Sequence, residues 1–166
     1  MKTLLMFLLG FTMVMAQKFE LKSPMFQNGE IIPDKFTCKG ADVSPPLHWH
    51  NTPKGAQSFA IIMDDPDAPM GTWTHWILYN IPAKYTRLPD NLPKEKETQF
   101  GIQGLNSWGK YGYGGPCPPN GTHRYFFKIY ALKGYLPDDI TTKEELLKQM
   151  EPMIIGKATL MGKFSK

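Results

Sequence analysis

The residues in this chain best able to do chemistry are a few acids and histidines that lie at the ends of apolar runs. Asp64-Asp65-Pro66-Asp67-Ala68-Pro69 follows one such run, and His75 and His123 each open another. A carboxylate beside an imidazole can fix its tautomer or raise its pKa, and imidazole N–H groups donate to phosphate or carboxylate oxygens. That set suits a small site for an anionic group. Taken singly, each histidine reads as a structural residue; only their joint placement points to a site. His48-Trp49-His50 puts two further imidazoles on one face of a strand, a spacing metals use. No acidic or cysteine third ligand is local, so a solvent-facing pair around a core Trp49 is expected there, and no metal. A nucleophile is missing from any recognisable setting: there is no GxSxG elbow, HExxH, P-loop or dinucleotide fingerprint. Ser107 and Thr122 have only nearness to a loop in their favour. No catalytic residue is assigned and no cofactor is expected.

Three strands must position these groups. Residues 58–63 form a continuous apolar run stopped by Asp64-Asp65-Pro66; 74–81 form a second, ended by Pro82; 123–132 form the longest, ended by Gly134. If the first two pair antiparallel, as neighbours in sequence usually do, Asp65 or Asp67 comes close to His75. If the third runs parallel to the second, His123 arrives at the same edge. Shorter strands are expected at 19–21, 35–38, 47–50 and 158–164. Thr142-Lys-Glu-Glu145 matches a capping box, and Leu146, Leu147, Met150 and Met153 continue at helical spacing until Pro152 and Gly156. Residues 101–121 hold seven of the fifteen glycines together with Pro116, Pro118 and Pro119 and the aromatics Trp108, Tyr111 and Tyr113, and are expected to be irregular. Two readings of that stretch stand side by side, a ligand-binding loop and a structural loop held by its own aromatics.

Composition sets the outer bounds. With 166 residues, 42% hydrophobic and 13% aromatic, the chain suits one domain with a packed core and does not suit disorder. The formal charge of +4 comes from mixed signs with no basic block, so nucleic acid is not implied; Lys94-Glu95-Lys96-Glu97 reads as a solvated loop. Residues 1–16 carry Lys2, then an apolar run with Val14 and Ala16 at the −3 and −1 positions of a cleavage site. They read as a secretory signal peptide, shorter than the about 20 residues a span needs. An uncleaved anchor is the rival reading. Cleavage leaves a domain at 17–166, 150 residues with a charge of +3, expected to be exported to a periplasm or secreted, with no membrane-spanning segment in the mature chain. In such a compartment a Cys38–Cys117 bridge is preferred over two buried thiols. Asn120-Gly-Thr122 is a glycosylation sequon beside the expected site.

Asp65-Pro66-Asp67-Ala68-Pro69, Trp73-Thr-His75-Trp, Gly115-Pro116-Cys-Pro-Pro119 and Gly121-Thr-His123-Arg124-Tyr125 resemble, in order and spacing, the signature segments of the phosphatidylethanolamine-binding protein family. Phe36-Thr-Cys-Lys-Gly40 and Ser44-Pro-Pro-Leu-His-Trp49 resemble the opening of its bacterial and archaeal, Raf-kinase-inhibitor-like branch. The resemblance covers nearly all of 17–164. It implies a mainly β fold: a central antiparallel-rich sheet, a second smaller sheet and one or two peripheral helices. It also implies a pocket for phosphate-like groups lined by Asp65, Asp67, Pro69, His75, Pro116, His123 and Tyr125, with Trp73 and the Gly115 backbone as walls and Arg124 in a structural contact behind. The chain stops soon after its last strand, without the C-terminal helix that flanks the pocket in animal proteins, and Phe164 stands where related bacterial chains often carry Tyr. A more open pocket follows from the missing helix. Kinase inhibition is not carried over to an exported chain. The expectation is therefore a non-enzymatic binding protein for a small anionic or phosphorylated ligand such as a phospholipid head group. Its rivals are a protein-binding inhibitor or signalling partner with a regulatory pocket, and a small hydrolase using the His/Asp edge.

Overall fold

A computed structural model describes residues 17–166; the expected signal peptide at 1–16 lies outside the described residues. In chain order the elements are β1 (Glu20–Lys22), β2 (Leu47–His50), β3 (Ser58–Asp65), β4 (Trp73–Pro82), β5 (Arg87–Leu88), β6 (Glu97–Thr98), β7 (Gly101–Gln103), β8 (Thr122–Leu132), the helix α1 (Lys143–Met150) and β9 (Ile154–Ser165). The apolar run of β3 is buried at every position and forms the middle of a six-stranded sheet ordered β6-β7-β4-β3-β8-β9. β4 and β8 both pair antiparallel with β3, so they run in the same direction on either side of it. β1, β2 and β5 make a second, three-stranded sheet. The fold is thus mainly β, with a large antiparallel sheet, a smaller one and one peripheral α-helix.

Side-chain alternation divides the core in two. Phe59, Ile61 and Met63 of β3, with Trp76, Leu78, Tyr125, Phe127 and Ile129, face the small sheet and pack against Leu21, Leu47, Trp49 and Leu88. Ala60, Ile62, Ile77, Tyr79, Tyr130 and Leu132 face the other way and are covered by Leu146 and Met150 of α1. Burying an aromatic such as Trp49 contributes on the order of 3 kcal/mol. The helix begins at a complete capping box: Thr142 Oγ1 accepts from Glu145 N at 3.2 Å, and Glu145 Oε2 accepts from Thr142 N at 3.1 Å. Among the described residues no helix is long and apolar enough to cross a membrane.

Two local expectations need correction. Residues 35–38 do not form a strand: Pro33 starts a single helical turn, with Phe36 N donating to Pro33 O and Thr37 N to Asp34 O, both at 3.0 Å. Proline's fixed φ and the Asp34 turn outweigh the apolar pattern there. Nor is 101–121 irregular throughout. Gly101–Gln103 pairs with β4 at Leu78↔Gln103 and Tyr79↔Ile102. Gly101 takes φ 151°, and a Cβ there would stand 2.5 Å from Tyr79 O, so only glycine lets this strand dock.

Candidate functional site

Strict alternation would send Trp76 and His75 to opposite faces of the sheet. The β3–β4 register runs Met63↔Trp76 and then Asp64↔Thr74, which leaves His75 as an extra, bulged residue. Thr74 stays on the helix face, where its Oγ1 donates to Asp64 Oδ1 at 3.0 Å. Lys128 and Lys143 reach the same Asp64 at 3.2 and 2.9 Å. His75 is turned to the inter-sheet side, edge-on to Tyr125 with ring centroids 5.2 Å apart. His123 reaches that side by ordinary alternation along β8, two residues before Tyr125.

Each imidazole is held by its Nδ1. His75 Nδ1 lies 2.7 Å from Gly114 O, and His123 Nδ1 lies 2.7 Å from Asp65 Oδ2. A carbonyl or carboxylate oxygen can only accept, so Nδ1 carries the proton in both rings. Neither Nε2 has a hydrogen bond to the described residues. The other oxygen of Asp65 accepts from Asp67 N at 2.8 Å. Asp65 therefore orients His123, while the partner of His75 is the loop backbone rather than an aspartate. Burial pushes the His75 ring below the usual histidine range, against the opposing pull of the Gly114 hydrogen bond and the nearby acids.

Asp65, Pro69, Trp73, His75, His123 and Tyr125 line one cavity of about 240 Å³ at the ends of β3, β4 and β8. Asp67 stands outside it. Its carboxylate accepts from Arg124 N, Nε and Nη2 at 2.9, 2.9 and 2.8 Å. Those guanidinium hydrogen bonds hold the Asp67 carboxyl at about 2. Arg124 so clamps the turn after β3. Gly115 and Pro116 also lie behind the wall: Gly115 N donates to Asp42 Oδ1 at 2.6 Å, and Pro116 O accepts from Cys38 N at 3.1 Å. The wall itself is completed by Trp108, Pro118 and Pro119, from the loop for which a ligand-binding role was one of two readings, and by Ala68, Met70 and Cys117, which the sequence did not single out as lining. Met70 directly follows Pro69 in the turn and could have been found by adjacency; the signal for Trp108 is its place in the glycine- and aromatic-rich stretch 101–121. Two polar atoms of the lining are buried without a partner, the Trp73 Nε1 and the Tyr125 hydroxyl. The Cys117 backbone lies beside that hydroxyl without hydrogen-bond geometry, and burial, with the Asp65 and Asp67 charges, pushes the phenol far above its ordinary range.

The loop is tied down at several points. Cys38 and Cys117 are bridged, with Cα atoms 5.4 Å apart, and the Tyr113 hydroxyl donates to Phe36 O at 2.7 Å. Behind Trp108 lies a second cavity of about 600 Å³. The His48 and His50 rings sit on the outer face of the small sheet, 5.1 Å apart, and burial and the neighbouring His50 lower the His48 pKa. Among the described residues no three His, Cys, Asp or Glu side chains are grouped to hold a metal. Ser107 Oγ accepts from Thr74 N at 2.8 Å and Thr122 is exposed at the start of β8.

A two-sheet β-sandwich with a histidine-lined pocket where its central strands end defines a small ligand-binding domain. The family model for the phosphatidylethanolamine-binding protein matches residues 22–165, and the chain belongs to that family. A UPF0098 protein of Aquifex aeolicus is 45% identical over 152 residues, covering 89% of this chain and 88% of that one. One from Methanothermobacter thermautotrophicus is 45% identical over 148 residues, covering 88% and 98%. The crystal structure of a phosphatidylethanolamine-binding protein homolog from Chlamydia trachomatis matches with TM-score 0.83 at 41% identity, covering 90% of this chain and 98% of that one. Escherichia coli YbcL matches with TM-score 0.83 at 32% identity, covering 90% and 99%.

Proposed function

We propose that this protein is an exported, non-enzymatic binder of a small anion, best a phosphoryl group on a phosphorylated molecule or phospholipid head group. The observation that carries the reading is the pair of imidazoles with Nδ1 already engaged, which leaves both Nε2 atoms for a ligand in a cavity of about 240 Å³. Asp65 is the one acid on that cavity, and both its oxygens are already engaged by neighbours. The family's printed name, phosphatidylethanolamine-binding protein, supports the same ligand chemistry. Relatives in bacteria and archaea favour the Raf-kinase-inhibitor-like branch. The leader read at 1–16 and the Cys38–Cys117 bridge support export to an oxidising compartment, periplasmic or extracellular.

The tautomers make binding proton-linked. A neutral ring with Nδ1–H offers only a lone pair at Nε2; a protonated ring offers a donor. A phosphate diester, which brings no proton, binds together with one taken up by the site. Affinity rises as pH falls, and His75, depressed by burial, adds its share only below about 6.5. Titration calorimetry with glycerophosphoethanolamine and with inorganic phosphate, from pH 8 to 5.5 and in two buffers, reads this directly. The expected result is tightening toward low pH with net proton uptake, and at least about a tenfold loss in His123→Ala. Equal affinity across the range, or an unaffected variant, rejects the site. Tighter binding of the diester than of phosphate favours a head group. Turnover of chromogenic esters or phosphates that disappears in His75→Ala would reject the non-enzymatic reading.

A further inference from the structure

We propose that the histidine-lined cavity and the larger one behind Trp108 form one bipartite site, whose ligand is a phosphate ester of an acidic aromatic ring. The inference rests on the anion reading above and adds the body of the ligand to its phosphoryl group. The two cavities, about 240 and 600 Å³, share Trp108 and Cys117 as a common wall. Trp108 stands edge-on to His75 with ring centroids 5.0 Å apart and packs over Gly114, where a Cβ would meet its ring at 2.5 Å. It is nevertheless 44% exposed, so part of the indole is open to a ligand leaving the smaller cavity. Tyr111 and Tyr113 also line the larger cavity.

The polar groups of the larger cavity are nearly all committed. The Asp42 carboxylate is taken by Gly115 N at 2.6 Å and Lys94 Nζ at 3.3 Å. Asn106 Oδ1 accepts from Trp108 N and Lys110 N, and its Nδ2 donates to Gly112 O. The Lys110 ammonium forms no hydrogen bond or ion pair with the described residues. An aromatic-walled recess with one uncommitted cation selects a flat body that carries a negative charge. The phosphoryl group would sit on the Nε2 atoms of His75 and His123, the ring against Trp108, and the acid at Lys110.

Three probes titrated calorimetrically at pH 5.5 test this: inorganic phosphate, phenyl phosphate and 4-carboxyphenyl phosphate. Each addition should tighten binding by about fivefold. Trp108→Ala should erase the advantage of phenyl phosphate over phosphate. Lys110→Glu should erase or invert the advantage of the carboxylated probe over phenyl phosphate within the same variant. Lys110 is exposed, so this substitution spares the core. Phosphate binding without a gain from the ring or the acid overturns the bipartite site and leaves the anion reading intact. Binding of none of the three overturns both.

Discussion

At His75 one ring is held by three contacts: a hydrogen bond to Gly114 O and edge-to-face packing with Trp108 and with Tyr125. This packing has a cost in acid. Burial makes the folded ring harder to protonate than the unfolded one. The unfolded chain therefore takes up the proton first, near pH 6.5. Stability from the neutral ring is full above that value and is lost as pH falls below it toward the folded value. Thermal melting should show Tm decreasing from pH 7 to 5, less steeply in His75→Gln, which keeps a donor for Gly114. Phosphate should raise Tm more at pH 5.5 than at 7.5, because the ligand and the proton bind together. A slope unchanged by the substitution would remove His75 from this account. Asp67 behaves oppositely to a pocket group: with its carboxyl at about 2, it keeps its contact with Arg124 over the whole of this range.

At the scale of elements, the long strands and the helix were legible because their signals are local. β3 is one uninterrupted apolar run, β8 is the longest aromatic and β-branched run, and the cap of α1 spans four residues. The β4 bulge was not legible, since it depends on how Asp64 meets Thr74 across the sheet. Nor was β7, which needs Gly101 to approach Tyr79 O. Loop and helix should respond differently to substitution. A Cβ on Gly115 would stand 2.5 Å from Asp42 Oδ1, and 2.6 Å from Phe36 O and 2.9 Å from Thr37 Cα, the last two being backbone that cannot swing aside. Gly115→Ala should cost about 2 kcal/mol or more in urea unfolding and weaken phosphate binding by moving the Cys117 wall. Thr142→Ala should cost about 1 kcal/mol through the lost cap, with phosphate affinity unchanged, because α1 covers the opposite face of the sheet. Equal effects on binding would mean that the loop does not shape the pocket.

For the whole molecule, the Cys38–Cys117 bridge closes a loop across 79 positions that includes β2 through β7. In the chain-entropy picture this stabilises by about 4 kcal/mol, on the order of 10 °C in Tm. Cys38→Ser with Cys117→Ser should show that loss by calorimetry and, because Cys117 stands in both cavity walls, weaker phosphate binding as well. A stable variant with intact binding would leave the bridge without a role in the site. The amino-acid sequence by itself determined a β-rich domain, its strands, its capped helix and the segments that bear Asp65, His75 and His123, because apolar period, turn residues and caps act over a few positions. Only the tertiary structure decided that Asp65 serves His123, 58 positions away, while Gly114 serves His75. It likewise turned Asp67 outward to Arg124 and stood Trp108 between two cavities. Those choices rest on strand register, one bulge and loop packing, which are settled by contacts between segments far apart in the chain.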